Sequence, residues 1–171
     1  PVPGTREPLA LLGGLVRNTK SDALALVTNP FYHAWRAGAL ASGAEIAFID
    51  SHKTNDFIPD LSAIAPGMLD RTTLMYLCSP TNPQGRVMSL EYLRYALGLA
   101  RRHDFLLVMD ECYADIWRAD RAPPGMLEAA ISLAEDGGDP LRNLVVVNSL
   151  SKRSSAAGLR AGFIVGADNV I

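Results

Sequence analysis

Short runs of uniformly apolar residues recur along the chain, and each is closed by turn-forming or polar residues. Residues 23–27 run into Asn29-Pro30, and 73–78 into Ser79-Pro80-Thr81-Asn82-Pro83-Gln84-Gly85. Residues 105–109 run into Asp110, and 144–147 into Asn148. A strand apolar at every position has no face to give to water, so it belongs inside a sheet covered on both sides. The segments between these runs carry helical spacing instead. Leu90, Leu93, Leu97 and Ala100 share one helix face behind Ser89 as N-cap, with Arg101-Arg102-His103 complementing the C-terminal dipole. Such alternation predicts an α/β fold, a three-layer α/β/α sandwich around a mostly parallel central sheet.

The predicted elements follow in order. Thr5 is a plausible N-cap for a helix carrying Leu9, Leu11, Leu12, Leu15 and Val16, with Pro8 in its first turn. Further helices are expected over 32–41, from Ser89 onward and over 126–134, with a short helical piece near 61–64. A strand is expected over 44–49, a Gly- and Asp-rich loop over 135–140, and an apolar return at Phe163-Ile164-Val165.

Composition narrows the function classes. With 171 residues, 49% of them apolar, the chain can fill a core. A formal charge of −2 with scattered Lys and Arg gives no footprint for nucleic acid or an anionic membrane. No apolar run approaches the roughly 18 residues of a membrane span. Cys78 and Cys112 have neither CxxC nor zinc-type spacing, which favours a reducing, cytoplasmic setting and argues against a metal site. The first residue is Pro1, and Ile171 follows what reads as a strand, so a segment of a longer protein is expected.

In open parallel sheets the ligand crevice lies outside the carboxyl ends of the strands, where the polar clusters of this chain fall. Lys152 stands among hydroxyls at one strand end. With Arg153 adjacent and apolar strands behind it, its amine is expected to be desolvated and nucleophilic toward carbonyls, against the plainer reading of a surface lysine. Asp110 ends a buried strand and suits a cationic ring nitrogen; the plainer reading is an N-cap for a helix over 111–117. Asn82 and Tyr113 offer hydrogen bonds to a phenolic oxygen, and Tyr32 an aromatic face. Gly4, Thr5, Ser149, Ser151 and Arg160 suit a phosphate, Arg160 through its two-pronged guanidinium. Together these groups meet the needs of pyridoxal phosphate. Cys112 is weak as a catalytic thiol, and His33, His52 and His103 read as ordinary loop or helix residues. No G-x-G-x-x-G follows the first strand, which argues against a dinucleotide binder.

The motifs resemble those of class I/II aminotransferases, fold-type I pyridoxal-phosphate enzymes. Gly4-Thr5-Arg6-Glu7 resembles the phosphate-binding turn, Asn29-Pro30-Phe31-Tyr32 the ring-stacking segment, and Asn82-Pro83-Gln84-Gly85 the Asn-Pro-x-Gly loop. Asp110-Glu111-Cys112-Tyr113 resembles the Asp-x-x-Tyr element, Ser149-Leu150-Ser151-Lys152 the cofactor-lysine segment, and Gly158-Leu159-Arg160 the phosphate-arginine segment. The resemblance spans the whole chain in family order and is nearest to succinyldiaminopimelate transaminases of lysine biosynthesis. It implies that residues 1–171 are the large, cofactor-binding domain of a longer homodimeric aminotransferase, without the small domain. Its substrates would be an amino acid and a 2-oxo acid, N-succinyl-diaminopimelate with 2-oxoglutarate being the first pair to consider. C–S lyases, aspartate or aromatic aminotransferases and pyridoxal-binding domains of transcriptional regulators share the scaffold. Two departures stand out: Gln84 where many relatives have threonine, and Pro3 where relatives often offer a serine or asparagine donor.

Overall fold

A computed structural model describes residues 1–16, 20–118, 120–134, 138–168 and 170–171. Part of the expected loop over 135–140 therefore lies outside the described residues. The chain runs α1 (Arg6–Leu15), β1 (Leu24–Asn29), α2 (His33–Ala41), β2 (Glu45–Asp50), α3 (Pro66–Arg71), β3 (Thr72–Cys78), α4 (Leu90–His103), β4 (Leu106–Asp110), α5 (Met126–Ser132), β5 (Leu144–Ser149), the single turn α6 (Leu150–Arg153) and β6 (Gly162–Gly166). The strand order is β2-β1-β3-β4-β5-β6. The pairs from β2 through β5 are parallel, and β6 runs antiparallel to β5.

Side-chain parity sorts the buried strands into two layers. Met75, Leu77, Leu107, Met109, Leu144 and Val146 face one way, where Leu93, Leu97 and Ala100 of α4 and Met126, Ala129 and Ala130 of α5 cover them. Leu74, Tyr76, Val108, Val145 and Val147 face the other way, toward Leu9 and Leu12 of α1 and Ala34, Trp35 and Ala39 of α2. The uniformly apolar runs follow from this, because both faces of the central strands are dry. The three-layer α/β/α architecture expected from the sequence is the one observed.

α1 and α2 lie close enough for their backbones to touch: a methyl group on Gly13 would overlap the carbonyl oxygen of Gly38. Tyr76 uses the same junction, its hydroxyl donating to the Leu9 carbonyl at 2.8 Å. Ser89 caps α4 by accepting from the Tyr92 amide.

Two segments differ from expectation. α3 had no counterpart in the sequence reading. Residues 111–117 form turns rather than a helix, because Asp110 Oδ1 accepts from the Cys112 amide two residues on and the backbone closes from Ala114 to Glu111 and from Ile116 to Tyr113. The short helical piece expected near 61–64 is the 3₁₀ turn Leu61–Ala63, held by Asp60 accepting from the Ser62 amide. The expected apolar return at Phe163-Ile164-Val165 is β6, and beyond it Val170 and Ile171 both donate back to the Ala167 carbonyl.

Candidate active site

β1 and β3 are neighbours in the sheet, yet the chain leaves β1 for β2 on one side and β3 for β4 on the other. That reversal opens a crevice at the carboxyl ends of the strands. A cavity of about 290 Å³ occupies it, lined by residues that follow β1 (Tyr32, His33), β3 (Asn82), β4 (Cys112, Tyr113) and β5 (Ser151, Lys152), and by Thr5, Arg6, Asp110, Ser149, Ala157 and Arg160.

Asp110 forms the floor. Its parity as the last residue of β4 turns it toward the α1–α2 layer, where it is 4% exposed. Trp35 Nε1 donates to Oδ2 at 3.1 Å and the Cys112 amide to Oδ1 at 3.1 Å. Burial pushes its carboxyl pKa up, while the Cys112 and Trp35 hydrogen bonds pull the other way. No cation pairs with it among the described residues. A buried carboxylate held by two N–H donors and lacking a counter-ion is a ready partner for a cationic N–H on a ligand.

Thr5 holds the N-cap position of α1 but does not cap it, because its backbone is already helical (φ −101°, ψ −15°). Its hydroxyl instead lies 3.0 Å from Cys112 Sγ, which in turn is 3.9 Å from Ser149 Oγ. Ser149, at the end of β5, accepts from the Ser151 amide. Burial, then the nearby Asp110, pushes the Cys112 thiol up to about 12, so it is a hydrogen-bonding group and not a nucleophile near neutrality.

Arg160 adopts a left-handed conformation (φ 49°) just before β6. Its guanidinium donates to the carbonyls of Ala157 and Pro3 and lies 3.4 Å from Glu7 Oε2. Pro3 thus contributes a carbonyl to the placing of Arg160. Gly4 does not line the cavity; it lies against this guanidinium, which a Cβ at Gly4 would approach to 2.5 Å.

Lys152 departs from expectation in one respect. It sits exposed on α6, so apolar strands do not desolvate its amine. The residue nevertheless lines the cavity, with its Nζ 6.0 Å from the centroid of the half-buried Tyr113 ring. Burial also raises the Tyr113 phenol.

The cavity therefore gathers Lys152, Asp110, Tyr113, Thr5, Tyr32, Asn82, Ser149, Ser151 and Arg160 from across the sequence. Sequence reasoning missed Trp35, Arg6 and His33. Trp35 lies 75 residues from the carboxylate it holds, and no local pattern joins them.

The family model "Aminotransferase class I and II" matches residues 2–171. The chain belongs to the class I and II aminotransferase family. A probable aminotransferase of Mycobacterium tuberculosis is 35% identical over 167 residues, 97% of this chain and 35% of the relative. An LL-diaminopimelate aminotransferase of Dehalococcoides mccartyi is 30% identical over 84% of this chain and 35% of its own length. Among solved structures, an aminotransferase of Helicobacter pylori superposes with a TM-score of 0.87 at 37% identity, covering 99% of this chain and 43% of that one. The chain thus spans about a third of the length of the curated relatives it matches. Members of the class I and II aminotransferase family use pyridoxal phosphate. Among the described residues, no helix is long and apolar enough to cross a membrane, and no group of His, Cys, Asp and Glu side chains could hold a metal ion.

Proposed function

We propose that residues 1–171 are the cofactor-binding domain of a longer pyridoxal-phosphate-dependent aminotransferase, one that moves an amino group between an amino acid and a 2-oxo acid. The observation that carries this is Asp110, a buried carboxylate with no cation paired to it among the described residues, on the floor of a cavity also lined by Lys152 and Arg160. When bound, pyridoxal phosphate supplies an electron sink for charge developing at the substrate α-carbon.

The side chains of this chain divide the remaining work. Asp110 pairs with the protonated ring nitrogen, Asn82 and Tyr113 hydrogen-bond the phenolic oxygen, and Tyr32 covers one ring face. Thr5, Ser149, Ser151 and Arg160 take the phosphate, with Gly4 leaving room for Arg160 to reach it. Lys152 would hold the cofactor through Nζ, and as a free amine it would take the proton from the substrate α-carbon as general base. The lysine is exposed, so it gains its dry surroundings from the bound ligands and from chain beyond these residues.

For substrate, we infer N-succinyl-diaminopimelate with 2-oxoglutarate. The motif resemblance to succinyldiaminopimelate transaminases supports it, as does the 30% identity to an LL-diaminopimelate aminotransferase. A homodimer in the cytoplasm, serving lysine biosynthesis, accompanies this reading. The two buried free thiols suit a reducing compartment.

The test uses the full-length protein. It should carry a near-ultraviolet or visible absorption band that borohydride bleaches, leaving the cofactor fixed on Lys152. An adduct on another lysine, or a protein that takes up no pyridoxal phosphate, would overturn the proposal. A panel of amino donors and oxo acids then ranks the substrates.

A further inference from the structure

Cys112 lines the cavity among the groups assigned to the phosphate, yet it has no task in the function just described. It follows Asp110 by two residues and so continues the parity of β4 toward the α1–α2 layer. The ladder between β4 and β5 runs one residue past Asp110, the Glu111 amide donating to the Val147 carbonyl at 2.9 Å. That pairing brings Cys112 beside Ser149, which keeps the parity of Val145 and Val147, and Sγ stands 3.9 Å from Ser149 Oγ. Thr5, at the start of α1, closes on the same sulfur at 3.0 Å. The thiol therefore joins the two hydroxyls that α1 and β5 bring to the phosphate.

Counting protons shows what the thiol does there. Thr5, Cys112 and Ser149 are at most 9% exposed, so water does not complete their hydrogen bonding. The Thr5 hydroxyl has one proton and, among the described residues, no side-chain partner other than Cys112. Ser149 Oγ accepts from the Ser151 amide at 3.3 Å, which leaves its own proton uncommitted to the backbone. A phosphate offers acceptors, so each hydroxyl serves it only by turning O–H inward. A thiol that donates S–H to Thr5 Oγ1 lets that hydroxyl accept from sulfur and donate to the anion. A thiolate would do the reverse, drawing the hydroxyl protons to itself and repelling the phosphate. Burial and the nearby Asp110 keep the proton on sulfur near neutrality.

We propose that Cys112 is a positioning residue for the cofactor phosphate: its S–H donates to Thr5 Oγ1, so that the Thr5 hydroxyl turns its own proton to the anion, and the long contact to Ser149 leaves that proton free for the same use. This rests on the aminotransferase reading and adds to the phosphate site a residue that acts only through its neighbours.

The full-length apoenzyme and its Cys112→Ala and Cys112→Ser variants are titrated with pyridoxal phosphate and with unphosphorylated pyridoxal. Cys112→Ala should weaken binding of the phosphorylated ligand by about three- to tenfold, as for loss of one neutral hydrogen bond, and leave pyridoxal unmoved. Cys112→Ser, which keeps a donor, should restore most of the loss. In a Thr5→Val background, where the hydroxyl to be turned is gone, Cys112→Ala should have almost no further effect. Equal losses for the two ligands would make Cys112 a wall of the cavity and overturn the proposal, as would unchanged affinities or a full loss in the Thr5→Val background. Infrared difference spectra of the parent apoenzyme with and without inorganic phosphate cover the case in which Cys112→Ala does not fold. The S–H stretching band of Cys112 should move to lower frequency, because a hydroxyl that donates to an anion becomes a stronger acceptor. An unmoved band would overturn the proposal. Failure of the parent enzyme to hold the cofactor on Lys152 would instead undo the aminotransferase reading, and this proposal with it.

Discussion

Trp35 and Asp110 meet at the bottom of the cavity, the indole Nε1 donating to Oδ2 at 3.1 Å with both side chains out of water. The indole therefore fixes where one carboxylate oxygen points and helps keep the group ionised against the pull of burial. Trp35→Phe keeps an aromatic filler and removes the donor. Leaving a buried carboxylate oxygen short of a partner costs about 1–3 kcal/mol. Urea unfolding of the full-length protein should show this as a lower midpoint at unchanged slope.

The raised pKa of Asp110 has a defined pH signature in the cofactor-free protein. Because the folded-state value lies above the ordinary carboxylate value of 3.8, the folded form holds the proton more tightly than the unfolded form. Its contribution to stability is full below that ordinary value and is lost as pH rises through the folded value. Asp110→Asn has no such titration, so its stability relative to the parent should grow with pH across that window and then level off. Unfolding midpoints of both proteins from pH 4 to 8 give the difference curve; a flat or falling curve would contradict the assignment.

Much of this layout was legible in the sequence, and the limits have physical causes. The strands could be read because both their faces are buried, and the strand ends because polar residues interrupt uniformly apolar runs there. Ser89 could be read as a cap because its partner Tyr92 is three residues away. α3 could not, since among its residues only Leu69 is buried and no amphipathic repeat develops. Thr5 was placed at the right boundary with the wrong partner: its hydroxyl serves Cys112, which lies 107 residues on. The helix considered over 111–117 gave way to turns because the Asp110 carboxylate is committed locally to Cys112 and across the core to Trp35. The exposure of Lys152 follows from its place on the single turn α6, none of whose residues is buried, and a turn that short carries no periodicity to read.

The thiol of Cys112 should be slow to alkylate. With its pKa pushed up to about 12, the thiolate fraction rises tenfold per pH unit throughout the ordinary working range. Iodoacetamide labelling of native protein, followed by peptide mapping, should give a rate at Cys112 still climbing at pH 10. A rate that bends over near pH 9 and levels off by about pH 10, as for an unperturbed thiol, would mean that the Thr5–Cys112–Asp110 cluster does not hold in solution.

The α1–α2 junction should tolerate no added methyl group. A Cβ on Gly38 would overlap both the Tyr76 hydroxyl and the Leu9 carbonyl, forcing apart the two helices whose N-termini carry Thr5 and Tyr32. Overpacking of this kind costs about 1–3 kcal/mol. Gly38→Ala should therefore lower the unfolding midpoint. Gly98→Ala, in α4 where nothing lies within 4 Å of the added carbon, should leave it unchanged or slightly raised.

Gly4 and Arg160 form the last pair open to direct test. Gly4 has φ +81° and stands where a Cβ would come within 2.5 Å of Arg160 Nη2, so Gly4→Ala both strains the backbone and displaces the guanidinium. Arg160→Gln removes the charge and leaves the backbone alone. If Arg160 anchors the cofactor phosphate, each variant should weaken binding of pyridoxal phosphate, Arg160→Gln by roughly 10- to 100-fold for the loss of a charge-assisted pair. Neither should change the much weaker binding of unphosphorylated pyridoxal. That contrast separates a phosphate contact from general damage to the cavity, because a distorted cavity would penalise both ligands alike. Titration of the full-length apoenzyme with each ligand, followed by its absorption band, supplies the comparison. Equal losses for the two ligands would remove Arg160 from the phosphate site and leave it as the structural partner of Glu7 and Pro3.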